Sequence, residues 1–271
     1  MMKHQRFHKM MLGLFLLLFL LPLPLLFVWS LTARWPWPEI LPKSYTLRGF
    51  IDLITYNDQI WKVILSNGGL SFGVSVICLI ISIMTARFVY VLDDRLKQKI
   101  NLIIQLPFIV PATIFAMGIH VSFIQWHLAD TVIGVMLVHI IYSLPYTYLI
   151  IHQAYQSVGE SLEEQALVLG AHPIQAFIFT TFPLLMPVFF SALSMAFIVS
   201  FSQYFLTLVI GGGSVQTYMT MIFPYFQNND RTIAAVYSML FLGMSLVFFL
   251  ILHQIMAILQ RKYQAFTYYD M

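Results

Sequence analysis

The sequence predicts an all-α membrane protein with about six transmembrane helices, on three observations. Of its 271 residues, 60% are hydrophobic and 9% are charged, whereas a soluble domain carries about 25% charged residues. The mean hydropathy is +0.83. The apolar residues form runs of the length that a helix needs to cross a bilayer, about 20 residues, and short polar or charged stretches separate these runs. A chain of this composition cannot cover itself with a water-facing surface.

The first predicted span covers residues 10–31, which carry no charge. Because this run is longer than the apolar core of a cleaved signal peptide, about 7–15 residues, we interpret it as a retained span. Pro22 and Pro24 predict a kink within it or an early end to its regular helix. Residues 32–62 then predict a polar outer loop with aromatic side chains of the interfacial type. These aromatic residues are Trp35, Trp37 and Tyr45.

Five further spans are predicted at residues 63–87, 102–123 (with Pro107 and Pro111), 131–152 (with Pro145), 183–210 and 234–259. The charged residues 91–99 form a short loop after the second span, and residues 125–130 form a turn after the third. Three consecutive glycines, 211–213, end the fifth span because glycine costs too much backbone entropy to extend a helix. In the outer loop that follows, the apolar piece 218–226 is either re-entrant or interfacial.

Six spans place both termini in the cytoplasm, and the basic residues favour this orientation. Nine lie in segments predicted to be cytoplasmic and five in outer segments, as the positive-inside rule expects. The nine are Lys3, Arg6, Lys9, Arg87, Arg95, Lys97, Lys99, Arg261 and Lys262, and the five are Arg34, Lys43, Arg48, Lys62 and Arg231. The simplest division is an N-terminal helix and outer loop at residues 1–60, one membrane domain at 61–260 and a cytoplasmic tail at 261–271.

The segment between the fourth and fifth spans carries helix signals in a definite order. Ser161 and Glu164 form a Ser-x-x-Glu pattern, which satisfies two free amide donors at a helix start. Gly170 supplies a helix stop, because glycine adopts the left-handed conformation of a C′ position without penalty. Pro173 suits the first turn of a new helix. The segment therefore predicts two short helices bent at Gly170.

This segment resembles the cytoplasmic signature loop of permease subunits of binding-protein-dependent ABC importers, which have the MetI-like permease fold. The family pattern is Glu-Ala-Ala, three residues, Gly, nine residues, Ile, one residue, Leu-Pro. The chain matches this pattern at Glu164, Ala166, Gly170 and Pro183, with the required spacings. It departs from the pattern at Gln165, Thr180 and Phe182, which stand for Ala, Ile and Leu.

The resemblance implies a set of partners in the cytoplasmic (inner) membrane. These are an ATPase dimer, a second permease subunit that is the same chain or a paralogue, and an extracytoplasmic solute-binding protein. The sequence contains no Gly-x-x-x-x-Gly-Lys-Ser/Thr motif, so the chain itself has no P-loop for ATP. We therefore expect no cofactor, no enzymatic activity and no nucleic-acid partner, with lipid around the spans and ATP bound by the partner subunit. The family layout implies a polyamine, thiamine, ferric iron or a small oxyanion as the solute.

Two sets of site residues follow from the resemblance. The coupling set contacts the ATPase and comprises Glu164, Ala166, Gly170, Leu162 and Leu169. For Leu162, Leu169 and Ala166, packing against the protein's own helices is an equal alternative. The pathway set lies beside the solute path and comprises Ser200, Ser202, Gln203, Tyr204, Gly211 and Gly212. For its polar members the alternative is interhelical hydrogen bonding.

Two rival functions remain open from the residues alone. The four histidines at positions 120, 127, 139 and 152 invite an intramembrane metalloenzyme, but their spacings match no i, i+4 pair. Cys78 is the only cysteine, which excludes a cysteine cluster. An ion-coupled transporter is the second rival, although the predicted spans beyond Arg87 contain no interior Asp, Glu, Lys or Arg to bind cations or relay protons.

Overall fold

The structure is a computed structural model that describes residues 2–35, 39–55, 58–159, 161–228 and 230–269. Within these ranges, the side chains of residues 2–7, 34, 58, 161 and 262–269 are outside the description. The predicted interfacial Trp37 is outside it as well. The elements are α1 (Met2–Leu20), α2 (Pro22–Ser30), β1 (Thr32–Arg34), β2 (Ser44–Tyr45), α3 (Arg48–Thr55), α4 (Asp58–Tyr90), α5 (Asp94–Ile109), α6 (Ala112–Gln125), α7 (Val132–Val158), α8 (Ser161–Val168), α9 (Pro173–Ala176), a π-helical turn (Phe177–Thr181), α10 (Phe182–Phe201), α11 (Phe205–Gly211), α12 (Tyr218–Gln227) and α13 (Arg231–Tyr269).

Five helical segments in the described part of the chain are long and apolar enough to cross a membrane. They are His8–Ser30, Gln59–Tyr90, Val132–Val158, Pro173–Phe201 and Arg231–Arg261. The bent pair α5 and α6 supplies a sixth if it counts as one span. The prediction of an all-α membrane protein with about six spans is confirmed.

Prolines determine where two of the predicted spans are interrupted. The predicted break in the first span is confirmed, because α1 ends at Leu20 and α2 begins at Pro22. The predicted third span is present as a bent pair of helices, because α5 and α6 meet at 102°. Pro111 causes this bend, since it pushes the preceding Val110 into an extended conformation, with ψ of 120°.

The predicted fifth span differs from the structure at both ends. It begins at Pro173 instead of residue 183, because α9, the π-helical turn and α10 run on without a gap. It ends at Phe201 instead of residue 210, and residues 202–204 separate α10 from α11. The glycine stop is confirmed one element later, because α11 ends at Gly211 with Gly212 in the left-handed region.

The chain divides into two compact units, of which the first comprises Met1–Lys62 and Ile222–Met244. Residues 32–55 are more ordered than the predicted outer loop, because β1 and β2 pair antiparallel with Thr32 opposite Tyr45. The Thr232 hydroxyl donates to the Thr32 carbonyl at 2.5 Å. Arg48 at the start of α3 pairs with Asp230 at 2.9 Å. These bonds connect residues 32–48 to the start of α13.

The second unit comprises Val63–Met221 and Ser245–Met271. Helices α7 and α10 lie at its centre, where Tyr148, Ile151, Tyr155, Leu185 and Phe189 form one buried cluster. A second cluster joins α11 to α6 and α7. A third places Val74 and Cys78 of α4 against Ala196 of α10. This packing fixes the position of α10, on which both candidate sites depend.

Candidate functional site

The predicted bend at Gly170 is confirmed and has the geometry of a Schellman motif. Gly170 has φ of +92°, and its amide donates to the Leu167 carbonyl at 3.0 Å. The Ala171 amide reaches back to the Ala166 carbonyl, also at 3.0 Å. These two bonds satisfy the last carbonyls of α8. We call residues 161–176 the elbow.

The second arm of the elbow starts with a capping box at His172. The His172 side chain accepts from the Ile174 amide at 3.3 Å, and the Gln175 side chain accepts from the His172 amide at 3.3 Å. The predicted cap at the other arm involves the side chain of Ser161, which lies outside the described residues. The prediction of a second short helix is wrong, since α9 continues through the π-helical turn into the span.

Glu163 holds the elbow against the membrane helices. Its side chain is only 5% exposed, and its Oε1 lies 2.6 Å from Nη2 of Arg87, near the end of α4. The Thr181 hydroxyl in the π-helical turn donates to the other carboxylate oxygen at 3.2 Å. The Arg87 guanidinium also lies over the Phe177 ring, 5.4 Å from its centroid. One buried carboxylate therefore connects α8, α4 and the start of the fifth span.

The tip of the elbow exposes apolar side chains. Val168 and Leu169 are 87% and 88% exposed, and Ile174 on the other arm is 62% exposed. Glu164 and Gly170 are exposed beside them, whereas Ala166 is half-buried. Leu162 is 46% exposed. The structure thus brings the coupling set together on one short segment, with Leu169 at its most exposed point.

Three members of the pathway set, Ser202, Gln203 and Tyr204, form a helix break between α10 and α11. Three carbonyls at this break have partners outside the regular helix pattern. The Ser202 hydroxyl donates to the Val199 carbonyl at 3.1 Å, and the Gln203 amide donates to the Ser200 carbonyl at 3.2 Å. The Thr207 hydroxyl in α11 donates to the Gln203 carbonyl at 3.1 Å. Ser202 is exposed, and Gln203 and Tyr204 are half-buried.

Ser200 lies apart from this surface, in a buried polar cluster. Its Oγ is 2.9 Å from His139 Nδ1 of α7 and 3.2 Å from Ser71 Oγ of α4. The second ring nitrogen of His139 is 2.9 Å from the Thr207 hydroxyl. All four residues are fully buried. Ser200 thus makes the interhelical hydrogen bonds that the sequence left as the alternative for this run.

Gly211 and Gly212 close α11 against the turn before α7. Gly211 is buried, and a Cβ on it would lie 3.2 Å from Val215. Gly212 has φ of +50°, and a Cβ there would overlap the carboxylate of Asp130. The Asp130 amide donates to the Ile210 carbonyl at 2.8 Å. The glycines therefore allow a close contact as well as ending the helix.

We expect Gly212→Ala to lower stability more than Gly213→Ala does. Both glycines have positive φ, so alanine costs each about 1–2 kcal/mol. A Cβ at Gly213 meets nothing within 4 Å, whereas at Gly212 it displaces Asp130. The measurement is thermal unfolding of the purified protein in detergent. In the Asp130→Ala background the two alanine variants should unfold alike, and a persisting difference would contradict this explanation.

Three residues of these sites escaped sequence reasoning. In the sequence, Arg87 indicates only the orientation of a span, Glu163 lies beside the motif residue Glu164, and His139 invites only a metal-ligand interpretation. Among the residues that the structure describes, no three His, Cys, Asp or Glu side chains come together to hold a metal ion. The Glu163-Glu164 doublet was the one available signal, because two adjacent helix positions face different surroundings.

The chain is similar to known transport proteins in sequence. The family described as "Binding-protein-dependent transport system inner membrane component" matches residues 1–264. PhnV of Salmonella typhimurium, provisionally described as a 2-aminoethylphosphonate transport system permease protein, is 24% identical over 251 residues, which cover 92% of this chain and 93% of PhnV. The molybdenum transport system permease protein ModB of Azotobacter vinelandii is 28% identical over 172 residues, covering 59% of this chain and 76% of ModB.

The fold is also similar to that of a solved structure. A chain from the crystal structure of a bacterial ABC transporter involved in the import of the acidic polysaccharide alginate superposes with a TM-score of 0.67. The superposition covers 93% of this chain and 95% of the other, at 15% sequence identity. At that identity the likeness concerns the fold alone.

Proposed function

The chain belongs to the family of binding-protein-dependent transport system inner membrane components, and on this premise we propose that its elbow is the surface where a separate ATPase subunit docks. The protein is a multi-pass, non-enzymatic permease subunit of an ABC importer, and the ATPase is a separate component. Membership in this family decides against the ion-coupled transporter and the intramembrane enzyme. The docking surface, the solute path and the solute are our proposals.

The exposed apolar tip of the elbow is the observation that carries the docking proposal. Leu169 and Val168 are almost fully exposed on a segment rich in polar residues, and such side chains gain free energy when a partner covers them. An exposed apolar patch with a polar rim is typical of an interaction site. Glu164 lies within that rim. The partner is the ATPase, because the chain has no P-loop of its own and members of its family act together with an ATPase.

The buried contacts of Glu163 provide the route from the docked elbow to the spans. A displacement of α8 acts on Arg87 of α4 and on Thr181 of the π-helical turn, since both contact the same carboxylate. Nucleotide binding in the ATPase then favours one of two arrangements of these helices. We propose that this movement opens the solute path alternately to the two sides of the membrane.

The path lies between this chain and a second permease subunit, identical or paralogous, and includes the helix break. The exposed Ser202 and the half-buried Gln203 and Tyr204 support this assignment, because polar groups at membrane depth are costly against lipid. Both termini and the elbow face the cytoplasm in our proposal. The excess of basic residues in the corresponding segments supports this orientation.

We infer a small solute with an oxyanion group, delivered by an extracytoplasmic solute-binding protein. PhnV, which aligns over 92% of this chain, is provisionally described as a 2-aminoethylphosphonate transport system permease protein, and ModB is described as a molybdenum transport system permease protein. The residues of the helix break carry no acidic side chain that would favour a polyamine. Parallel uptake assays with 2-aminoethylphosphonate, molybdate and putrescine test this choice, and uptake of putrescine alone would overturn it.

The docking proposal predicts that Leu169→Asp abolishes both uptake and co-purification of the ATPase. A carboxylate at a position covered by the partner is desolvated without a counter-charge, which costs several kcal/mol. Ile40→Asp is the matched control, because Ile40 is 89% exposed and lies outside the elbow. The measurement is the amount of ATPase recovered with the tagged chain from membranes, normalised to the inserted chain. Equal recovery with both variants would contradict docking at the elbow.

A further inference from the structure

The clearest unassigned feature of the second unit is the buried cluster beside the helix break, formed by Ser71, His139, Ser200 and Thr207. Ser200 is in the last turn of α10, and Thr207 is in the first turn of α11. The His139 ring contacts both hydroxyls, each at 2.9 Å. One side chain of α7 therefore connects the two helices on either side of the break.

The Gln203 carbonyl sets the direction of the contact between Thr207 and His139. A carbonyl only accepts, so the Thr207 hydroxyl must donate its single proton to it. The Thr207 oxygen can then only accept from His139 Nε2, which must carry a proton. In a neutral ring Nδ1 is then the acceptor, and it takes the proton of the Ser200 hydroxyl. The Ser200 hydroxyl also lies 3.2 Å from the Ser71 oxygen, to which it donates when it does not donate to Nδ1.

A neutral imidazole in the Nε2–H form thus satisfies the bonds of Thr207 to Gln203 and to His139, while the one proton of Ser200 serves either Nδ1 or the Ser71 oxygen. The opposite tautomer leaves an unprotonated Nε2 facing the Thr207 oxygen or forces the Thr207 hydroxyl to release the Gln203 carbonyl. A charged ring would need a counter-charge in a fully buried place. Among the described residues, its hydrogen-bond partners are both hydroxyls and neither is a carboxylate.

We propose that His139 is a positioning residue that clamps the helix break and thereby holds Ser202 and Gln203 at the solute path. The clamp takes the place of the regular backbone bonds that a continuous helix would have had between α10 and α11. Without the His139 contact to Thr207, the Gln203 carbonyl loses its oriented donor, and α11 is released from α10. The effect on transport rests on the proposed solute path, whereas the clamp does not.

Two substitutions at His139 separate its two contacts. Glutamine places a nitrogen near the position of Nε2 and keeps the contact with Thr207, whereas asparagine reaches only the position of Nδ1 and keeps the contact with Ser200. We expect His139→Asn and Thr207→Val to lower the maximal uptake rate roughly tenfold, the cost of one buried unsatisfied group. His139→Gln and Thr207→Ser should retain most of it. The solute concentration at half-maximal uptake and the recovery of the ATPase should not change.

The spectroscopic test is independent of transport. The assembled importer is prepared in lipid bilayers with ¹⁵N-labelled histidine in the chain and measured by solid-state NMR. Comparison with the spectrum of His139→Gln identifies the His139 signals among those of the eight histidines. We expect the Nε2–H tautomer, and a loss of its hydrogen-bonded signal in Thr207→Val but not in Thr207→Ser. An Nδ1–H tautomer, or an unchanged spectrum in Thr207→Val, would overturn the clamp. The expected spectra with normal uptake in every variant would overturn only its role at the solute path.

Discussion

The Arg87→Met variant is expected to lose about 3 kcal/mol of folding stability, because it leaves the Glu163 carboxylate buried without its charge partner. The estimate is at the low end of the range for broken buried pairs, since the Arg87 side chain is 36% exposed and water screens part of the attraction. The cation–π contact with Phe177 is lost as well. Unfolding of the purified protein in detergent, followed by temperature or denaturant, measures this loss.

Glu163→Gln and the double variant Arg87→Met with Glu163→Met identify the cause. Glutamine retains a hydrogen bond to Thr181 and leaves a cation that can turn toward water, so its cost should be smaller than that of Arg87→Met. The double variant removes both charges while keeping similar volume, and such replacements are often neutral or stabilising. If the double variant were as unstable as Arg87→Met, the loss would come from packing and the charge pair would not be its cause.

The stable double variant also tests whether the pair transmits movement. An apolar contact between methionines holds the elbow in place but allows it to slide, because it lacks the Arg87–Glu163 ion pair and the directional hydrogen bond from Thr181. We expect ATPase recovery to be normal and ATP hydrolysis to continue with reduced uptake. If uptake remained tightly coupled to ATP hydrolysis in this variant, the movement of the elbow would be transmitted by another route. The continuous segment of α9, the π-helical turn and α10 is one such route.

The number of spans and the bend at Gly170 could be predicted from the sequence because both depend on local chemistry. A run of apolar residues specifies a span by its length, and a glycine after a short helix specifies a left-handed stop. The break at Pro22 is of the same kind. The continuity of α9 with α10 could not be predicted, because Pro173 suits either the start of a short helix or the start of a long one.

The helix break after Phe201 could not be predicted because no glycine or proline marks it. The Thr207 hydroxyl that donates to the Gln203 carbonyl is contacted by His139 of α7, which is distant in sequence. Likewise, Glu163 and Glu164 are equivalent in a sequence pattern, and only the packing of α8 against α4 buries the first and exposes the second. Local signals therefore located both sites, whereas the residues that hold them in place depend on tertiary contacts.

The Gly170→Val variant is expected to insert and assemble in the membrane but to lose at least roughly tenfold in uptake. Gly170 has φ of +92°, which a β-branched residue adopts only with strain. A Cβ there meets nothing within 4 Å, so the chain itself has space for the side chain. The strain of about 1–2 kcal/mol therefore favours a straightened backbone at Gly170. Straightening moves Leu169 away from its docked position.

Gly170→Asn distinguishes an effect of the backbone bend from an effect of side-chain volume beside it. Asparagine is of similar size to valine but tolerates positive φ far better, so the Schellman motif should survive and uptake should be retained. The measurements are initial uptake rates, ATPase recovery and thermal unfolding for both variants. If both lost uptake while remaining folded, the docked ATPase would occupy the open space beside Gly170, and side-chain volume would be the cause. If both transported normally, the bend would have no part in coupling, and docking would depend on the apolar tip alone.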